Sequence, residues 1–353
     1  MPLATTCIGA FPKTNYVPIK DWFQVQFGLT STSGEVTRRA SKVAVLGSGS
    51  DEEMYLKATR AAVADQIACG VDIPTDGEQR RENYIHYHCR HLTGFDFHDL
   101  TSRVLRDGAY EAELPTIRGK IEPDGSHFLD RDYRQAQAAS DRPVKITVPG
   151  PTTIIDTCAD DFYGDERALA FDLADALNFE VRALADAGCT YIQIDEPLFA
   201  RNTQRALNFG IECLERCFDG LPDTVTRVMH MCCGYPGHLD DHTYHKADPQ
   251  SYFQLAGALD RSSVDQVSIE DAHRHNDLTL LERFPNTTVI FGAVAIAQSQ
   301  VEPAEQIAQR LGAALEHIDR DRLIAAPDCG LAMLGRDLAM TKLTHLCQAA
   351  AAV

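Results

Sequence analysis

Residues 228–237 read VMHMCCGYPG and place a histidine and two cysteines directly after a run of apolar residues. His230 and Cys232 are two positions apart, so on a β-strand both side chains lie on the same face. Two ligands of one metal ion need such a shared face, and imidazole and thiolate are common zinc ligands. The same residues are also compatible with two alternatives to a metal site, a buried hydrophobic strand end and a Cys232–Cys233 redox pair. Adjacent cysteines form a disulfide only with strain, which disfavours the redox pair.

Two further β-rich runs end in residue types that zinc accepts as ligands. Glu270 follows the apolar part of QVSIEDA, and Cys329 follows that of LIAAPDCG. If these runs are parallel strands of a barrel, their carboxyl ends meet at one face, where barrel active sites form. The predicted zinc ligands are therefore His230, Cys232, Glu270 and Cys329. A single cysteine at a strand end is more often a small buried residue, so the prediction depends on all four converging.

Short β-rich runs alternate along the chain with longer segments of helical periodicity. The predicted strands are TCIGAF (6–11), VDIPTDGE (71–78), VKITVPGP (144–151), YIQIDEP (191–197), RVMHMCCG (227–234), QVSIEDA (266–272), TVIFGAVAI (288–296) and LIAAPDCG (323–330). Eight strands alternating with helices predict an α/β fold, a (β/α)8 TIM barrel of parallel strands. A doubly wound open sheet is the structural alternative. Residues 1–353 are predicted to form a single domain.

Helices are predicted over residues 52–69, 166–187, 303–318 and 336–351. Gly188 suits the C-terminal cap of the second of these helices, and Pro303 falls at a first-turn position of the third. The alternation is interrupted between the second and third strand runs, in residues 79–143. An extended excursion is predicted there, with a helix and a hairpin.

The composition excludes several classes of partner. The chain has 353 residues, a formal net charge of −18 and a pI of about 5.1. This acidic field repels phosphate backbones and no basic stripe offsets it, so a nucleic-acid partner is not expected. No secretion signal or long apolar stretch is recognisable, so no membrane association is expected. An odd number of cysteines, 11 in all, predicts free thiols in the cytoplasm. The composition leaves a homo-oligomer open.

Dispersed motifs, in the order CIGAFPKT, DGEQRREN, YIQIDEP, HMCCG, VSIEDA and APDCGL, resemble those of one enzyme family. They are similar to the C-terminal catalytic barrel of cobalamin-independent methionine synthase and its shorter single-barrel relatives. The resemblance implies a catalytic Zn2+ on the four predicted ligands and homocysteine as the thiol substrate. It also implies that Glu78 and Asp195 hold the amino group of homocysteine. The segment that contains Ile8 and Ala10 would hold the other end of that substrate.

Three departures from the family pattern bear on the methyl donor and on substrate contacts. Ala297, in GAVAIAQSQ, stands where the family has the histidine that protonates the folate leaving group. The family's folate-stacking tryptophan has no match after the third strand run, and the single tryptophan of the chain is Trp22. Ala10 replaces a serine of the family. Because a folate nitrogen needs an acid to leave well, we expect methylcobalamin or a corrinoid protein as the donor instead of methyltetrahydrofolate.

The expected reaction is zinc-dependent methyl transfer to a thiol, whose pKa the metal lowers and whose sulfur displaces Glu270. The alternative is an epoxyalkane:thiol transferase of the coenzyme M type, although coenzyme M has no ammonium group for Glu78 and Asp195 to hold. A uroporphyrinogen decarboxylase-like lyase and a protein with purely structural zinc are less favoured. His273 or His275, after the sixth strand run, is a candidate for the missing acid, although loop histidines are more often solvated.

Overall fold

The computed structural model describes residues 2–18, 38, 49–105 and 110–353; Trp22 lies outside them. Most strands are short, and they are separated by helices. The strands are β1 (Ala4–Thr5), β2 (Phe95–Leu105), β3 (Tyr110–Ile117), β4 (Lys145–Pro149), β5 (Ala159–Asp160), β6 (Tyr191–Asp195), β7 (Thr226–Met231), β8 (Gln266–Ile269), β9 (Thr288–Val294) and β10 (Leu323–Pro327).

Seven of these strands form one parallel sheet in the order β1-β10-β9-β8-β7-β6-β4. Both edge regions of this sheet reach the same short segment, because Thr6 bridges Ile73 and Lys145 bridges Thr75, each in parallel. The sheet is therefore curled. The α/β class and the parallel strand arrangement are confirmed.

The predicted second strand, residues 71–78, forms only these isolated bridges, so the regular parallel sheet has seven strands in the described part of the chain. Two local features explain the difference. Pro74 has no N–H to give to a strand ladder. The side-chain amide of Gln66 takes the place of a neighbouring strand, since Gln66 Oε1 accepts from Thr75 N at 2.9 Å and Gln66 Nε2 donates to Thr75 O at 3.0 Å.

The helices confirm the predicted alternation. The α-helices are Gly49–Ala68, His86–Cys89, Leu129–Gln137, Pro151–Asp156, Glu166–Asp186, Leu198–Arg201, Thr203–Arg205, Ile211–Cys217, Ser251–Leu259, Ala304–Ala314 and Arg336–Ala352, with a π-helical turn at Ala206–Gly210 and 3-10 turns at Leu278–Arg283 and Arg320–Arg322. Gly188 follows the helix Glu166–Asp186 at a φ of +95°, which suits the predicted cap. Pro303 is the N-cap of its helix and lies one position earlier than predicted.

The predicted excursion contains a β-hairpin. Strands β2 and β3 pair antiparallel, and β5 adds in parallel to β3. The helix Leu129–Gln137 then leads back to β4, and it buries Leu129, Tyr133 and Ala136. The hairpin therefore forms a small sheet of its own and does not extend the main one.

The inner face of the curled sheet changes from apolar to polar along the strands, towards their carboxyl ends. A buried cluster inside the sheet consists of Ile8, Val228, Ile290, Ile324 and Ala326. Side chains alternate along a strand, so His230 of β7 lies on the same inner face as Val228, one step further towards the carboxyl end. The larger core lies on the other face, between the strands and the helices. An apolar floor thus lies beneath the strand ends that carry the candidate site.

Candidate metal centre and active-site cleft

Three of the four predicted zinc ligands converge at the carboxyl ends of β7 and β10. The possible ligand atoms of His230, Cys232 and Cys329 all lie within 4.8 Å of one another. Cys232 follows β7 directly, and Cys329 lies two residues after the end of β10. His230 lies near the end of β7, and its Nε2 is 3.3 Å from the Sγ of Cys329. The predicted same-face pairing of His230 and Cys232 is consistent with this cluster. Cys233 is not in the cluster; its buried Sγ faces Arg274 at 3.5 Å.

A neighbouring strand orients the imidazole of His230. Its Nδ1 shares a hydrogen bond of 2.9 Å with the hydroxyl oxygen of Ser268 on β8. A proton on Nδ1 leaves the Nε2 lone pair directed towards the sulfur atoms. Metal-binding histidines are commonly fixed in this way by a partner on the other ring nitrogen. One imidazole nitrogen and two sulfurs, held together in this orientation, fit the ligand chemistry of zinc.

His230, Cys232 and Cys329 interact through hydrogen bonds and charge, and these interactions shift their pKa values. Hydrogen bonding from Cys329 and His230 outweighs burial and lowers the pKa of the Cys232 thiol well below its usual range. Burial opposes the charged form of His230, but the hydrogen bond and charge of Cys232 raise its pKa. The cluster therefore favours a thiolate at Cys232, the form of cysteine that binds metals.

Glu270, the fourth predicted ligand, follows β8, but its carboxylate is not part of the three-residue cluster. Lys246 Nζ lies 2.9 and 3.0 Å from its two oxygens, and the hydroxyl of Tyr235 donates to Oε2 at 2.5 Å. Burial raises the pKa of Glu270 although Lys246 opposes this shift. The structure thus places the Glu270 carboxylate beside the cluster, where it is bound by the ammonium group of Lys246 and the phenol of Tyr235.

His273 is engaged at both ring nitrogens. Its Nδ1 lies 2.6 Å from Asp328 Oδ2, and its Nε2 accepts a hydrogen bond from the backbone N–H of Ala297 at 3.0 Å. The ring therefore ties the loop of Ala297 to the end of β10. This arrangement gives His273 a structural role and does not present it as a free acid. His275 is largely exposed and pairs with Asp271.

The predicted substrate residues line the same cavity as the three donors. This cavity has a volume of about 190 Å3, and its walls include Ile8, Ala10, Glu78 and Asp195 together with His230, Cys232 and Cys329. The walls also include Tyr84 and Ile85, from the segment YIHYHCRH. His86 and His88 of that segment are buried, and burial lowers the pKa of His86 to about 3.

Glu78 is held in an unusual backbone conformation, with a φ of +55°. Such a conformation is strained for a non-glycine residue and is typical of functional sites. Its Oε1 accepts a hydrogen bond of 2.7 Å from Thr147, which in turn accepts from Arg81 at 2.7 Å. Gly9 leaves room for this carboxylate, because a Cβ at position 9 would lie 2.7 Å from Oε1 of Glu78 and would displace it.

Asp195, the last residue of β6, is another carboxylate that lines the cavity. The amide of Gln193 donates to its Oδ1 at 2.7 Å. Burial raises the pKa of Asp195 to about 7; His230 opposes this rise and the neighbouring Glu78 adds to it. Two buried carboxylates that face one cavity are stabilised when a cation binds between them.

Sequence reasoning missed several residues around the site. Thr147 and Arg81 position Glu78, while Lys246 and Tyr235 bind Glu270. Arg81 lies in the motif DGEQRREN, so this motif could have indicated a role for Arg81 at the site. Lys246 lies in a loop without periodicity, and no sequence signal points to it.

The fold and the cluster define a parallel α/β protein with one nitrogen and two sulfur donors, a candidate metal centre, in a cleft at the strand ends. A family model described as "Cobalamin-independent synthase, Catalytic domain" matches residues 3–352. The chain belongs to this family. It is therefore an enzyme of the methionine synthase family, a methyltransferase that acts on a thiol. Within the described residues, no helix is long and apolar enough to cross a membrane.

Individual relatives agree with this assignment. The chain is 28% identical over 345 residues to a methionine synthase of Sulfolobus acidocaldarius, covering 98% of this chain and 90% of that protein. It is 26% identical over 347 residues to a methionine synthase of Sulfurisphaera tokodaii, with the same coverage of 98% and 90%. A solved B12-independent methionine synthase from Shewanella sp. W3-18-1, in complex with selenomethionine, superposes with a TM-score of 0.84 at 28% identity and covers 99% of this chain and 97% of that one. A structure from Listeria monocytogenes, with a TM-score of 0.70 at 18% identity, shares the fold.

Proposed function

We propose that the protein transfers a methyl group to the thiol of homocysteine and forms methionine at a zinc-dependent site. The observation that carries this proposal is the meeting of His230, Cys232 and Cys329 in one cavity with Glu78 and Asp195. The first three residues offer the nitrogen and sulfur ligands that zinc prefers, and the last two are anionic groups that can hold an ammonium ion. A thiol and an amino group on one small molecule match this pair of subsites.

Zn2+ is the metal that the donor set favours, because two thiolates and an imidazole suit it better than Mg2+ or Ca2+. Its ligands are His230, Cys232 and Cys329, with Glu270 as the proposed fourth ligand. When bound, zinc lowers the pKa of a thiol, so that the nucleophilic thiolate exists at neutral pH. The chain's own part is to hold the metal through an imidazole fixed by Ser268.

Substrate binding follows from other side chains that line the same cavity. Glu78 and Asp195 anchor the ammonium group of homocysteine, and the segment around Ile8 and Ala10 contacts its carboxyl end. Thr147 fixes one oxygen of Glu78, which limits the positions that the ammonium group can adopt. Two anchors at the amino end of the substrate restrict the approach of its sulfur to the methyl carbon and reduce the entropic cost of the reaction.

The donor is methylcobalamin or a methylated corrinoid protein in this proposal. Ala297 is buried and its backbone N–H is bound to His273, so this position has no side chain that could protonate a folate nitrogen. In transfer from a methylcorrinoid, the thiolate forms the new S–C bond and the electron pair of the Co–C bond stays on cobalt. No proton is needed for that leaving group.

The coenzyme M alternative is not favoured, because the family match indicates a methionine synthase and because Glu78 and Asp195 suit an ammonium group. We also propose that residues 71–78 act as the eighth strand that closes a (β/α)8 barrel, given their bridges to both sheet edges. Residues 1–353 then form a single domain. The eleven cysteines are all free, and this supports a cytoplasmic location.

A turnover assay tests the proposal. Zinc-loaded protein is incubated with homocysteine and one of three donors, methylcobalamin, methylated corrinoid protein or methyltetrahydrofolate, and methionine is measured. The expected result is methionine from methylcobalamin, and none from the variant Cys329→Ser. Methionine from methyltetrahydrofolate alone would overturn the donor proposal, whereas no transfer from methylcobalamin, methyltetrahydrofolate or methylated corrinoid protein would overturn homocysteine as the acceptor.

A further inference from the structure

One buried side chain connects the two parts of the cavity that hold homocysteine in the proposed function. Gln193 Nε2 donates to the backbone oxygen of Ile8 at 2.8 Å and to Asp195 Oδ1 at 2.7 Å. Gln193 is 0% exposed, and it is not one of the described residues that line the cavity. It therefore influences a bound ligand only through the residues that it holds.

The orientation of the Gln193 amide follows from its two partners. Gln193 and Asp195 are two positions apart on β6, so both side chains lie on the inner face of the sheet. The oxygens of Ile8 and Asp195 are acceptors, and each receives one of the two hydrogens of the amide nitrogen. The Oε1 of Gln193 is buried and has no hydrogen-bond partner among the described residues. An unpaired buried acceptor lowers stability, so packing alone does not explain a glutamine at this position.

Each anchoring carboxylate has one oxygen held by the protein and one that is available to a ligand. Gln193 holds Oδ1 of Asp195, and no described residue donates a hydrogen bond to Oδ2. Thr147 holds Oε1 of Glu78 at 2.7 Å, and Oε2 is likewise without a donor in the described part of the chain. An ammonium group between the two carboxylates can therefore bind Oδ2 and Oε2.

The segment from Ile8 to Ala10 presents backbone donors to the same cavity. The carbonyl oxygens of Ile8, Gly9 and Ala10 all accept hydrogen bonds from other parts of the protein, and Gln193 is the donor for Ile8. The N–H groups of Gly9 and Ala10 have no acceptor among the residues that the structure describes. Backbone N–H groups with no protein acceptor are suited to a carboxylate. Gln193 thus connects a binding site for an ammonium group to one for a carboxylate.

We propose that Gln193 is a positioning residue that makes the site select L-homocysteine over D-homocysteine. The inference rests on the proposed function, in which homocysteine is the acceptor, and deepens it by assigning the control of stereochemistry. The two enantiomers carry the same thiol, ammonium and carboxylate groups. They differ in which of the two charged groups reaches a given anchor once the sulfur is at the metal.

Stereochemical selection needs anchors whose separation is fixed. With the Gln193 amide in place, one nitrogen atom holds both Asp195 and the backbone of Ile8, so the ammonium site and the carboxylate site do not move independently. Without it, two oxygen acceptors face each other with no donor between them, and they repel. The carboxylate of Asp195 can then rotate and the segment around Ile8 can shift, so the wrong enantiomer makes all three contacts at a smaller cost.

Calorimetric titration of the zinc-loaded protein with L- and D-homocysteine tests the inference. The measured quantity is the ratio of the Kd for the D form to the Kd for the L form. Gln193→Met keeps the volume but has no donor, so it should lower this ratio by about tenfold or more. Gln193→Glu has at most one hydrogen to donate, so it should lower the ratio too, and its matched size serves the test if the methionine variant does not fold. Both variants should retain one zinc ion per chain.

A second ligand distinguishes the two contacts of the glutamine. The compound 3-sulfanylpropan-1-amine has the thiol and amine of homocysteine but lacks the carboxyl group. In the wild type, L-homocysteine should bind more tightly than this analogue. Gln193→Met should reduce that advantage, because the carboxylate site loses its position. Asp195→Asn alters only the ammonium site and should leave the advantage near the wild-type value.

Gln137→Met is the matched control for the loss of an amide. Gln137 Nε2 donates to the backbone oxygens of Ser140 and Arg142 at 3.1 and 2.9 Å, and its Oε1 accepts from Val144 N at 3.0 Å. These contacts lie outside the cavity. This variant should therefore lose stability towards urea and keep the wild-type ratio of Kd values.

The outcomes separate the two proposals. If the Gln193 variants lose stability but keep the wild-type Kd ratio, Gln193 is a structural residue and the inference fails while the proposed function stands. The inference also fails if the wild type binds both enantiomers equally, or if the advantage over 3-sulfanylpropan-1-amine is unchanged in Gln193→Met. If the wild type binds neither enantiomer, both the inference and homocysteine as the acceptor are overturned.

Discussion

The imidazole Nε2 of His230 lies 3.3 Å from the Sγ of Cys329, although the two residues are 99 positions apart in the chain. Their strands, β7 and β10, are separated in the sheet by β8 and β9. In a flat sheet neighbouring strands lie about 4.8 Å apart, so strands three places apart would hold these atoms well beyond contact. The curl of the sheet brings these atoms together, and the proposed metal centre depends on it.

Replacement of Cys329 should abolish metal binding. Cys329→Ser removes one of two sulfurs from a three-donor cluster, so we expect zinc retained after dialysis to fall from one ion per chain to near zero. Metal analysis by mass spectrometry measures this loss. Cys233→Ala is the matched control, because Cys233 is a buried cysteine next to Cys232 that lies outside the cluster. Equal zinc loss in both variants would contradict the assigned ligands.

The hydroxyl of Ser268 should tune metal affinity without binding the metal. Ser268→Ala leaves the Nδ1 of His230 without its 2.9 Å partner, so the ring loses its fixed orientation. We expect zinc affinity to fall by about 10- to 100-fold, measured by chelator competition. Ser268→Thr keeps the hydroxyl and should restore most of the affinity. Equal losses in the two variants would indicate a packing defect instead.

Asp195 should discriminate in favour of acceptors that carry an amino group. Asp195→Asn removes a charge from the wall that faces the ammonium group, so we expect KM for homocysteine to rise by about tenfold or more. The comparison substrate is 4-sulfanylbutanoate, which has the thiol and carboxylate of homocysteine but no amino group. The variant and the wild type should handle it equally. A similar rise in KM for both substrates would show that Asp195 does not bind the amino group.

Lys145 should make stability depend on pH. Its Nζ is fully buried without a hydrogen-bond partner among the described residues, and burial lowers its pKa from 10.5 to about 8. The unfolded chain therefore binds more protons than the folded chain between about pH 8 and 10.5, so stability rises with pH in that window. Below it, the buried charge costs about 3 kcal/mol.

Lys145→Met should remove this dependence. We expect the variant to be more stable than the wild type by up to about 3 kcal/mol at pH 7, with the difference shrinking as pH rises to 10. Urea unfolding of both proteins at several pH values measures it. Lys57→Met, at an exposed position, should leave the pH profile unchanged. A constant difference between pH 7 and 10 would show that the amine of Lys145 is neutral or solvated throughout.

The elements that carry the donors were predictable, because strong periodic patterns encode them. His230 and Cys232 follow the two-residue period of a strand, and parallel strands end at a common face. The second strand was not predictable in this way. VDIPTDGE looks like a strand, but Pro74 and the side chain of Gln66 prevent the regular ladder, and the contact with Gln66 joins two elements.

Contacts between loops account for the rest of what sequence reasoning missed. Glu270 was predicted as a ligand from its place after a strand, yet the position of its carboxylate depends on Lys246, from the loop before the preceding helix. The contact of His273 with the backbone of Ala297 is of the same kind. Such contacts depend on how loops pack over the strand ends, and the periodicity of residue types does not predict this packing.

Zinc K-edge X-ray absorption of the purified protein, with and without homocysteine, tests the central claim most directly. We predict two sulfur neighbours at about 2.3 Å in the resting protein and three after homocysteine is added. Glu270→Gln should leave the first count at two. An unchanged sulfur count on addition of homocysteine, in protein that carries zinc and turns over, would contradict the account.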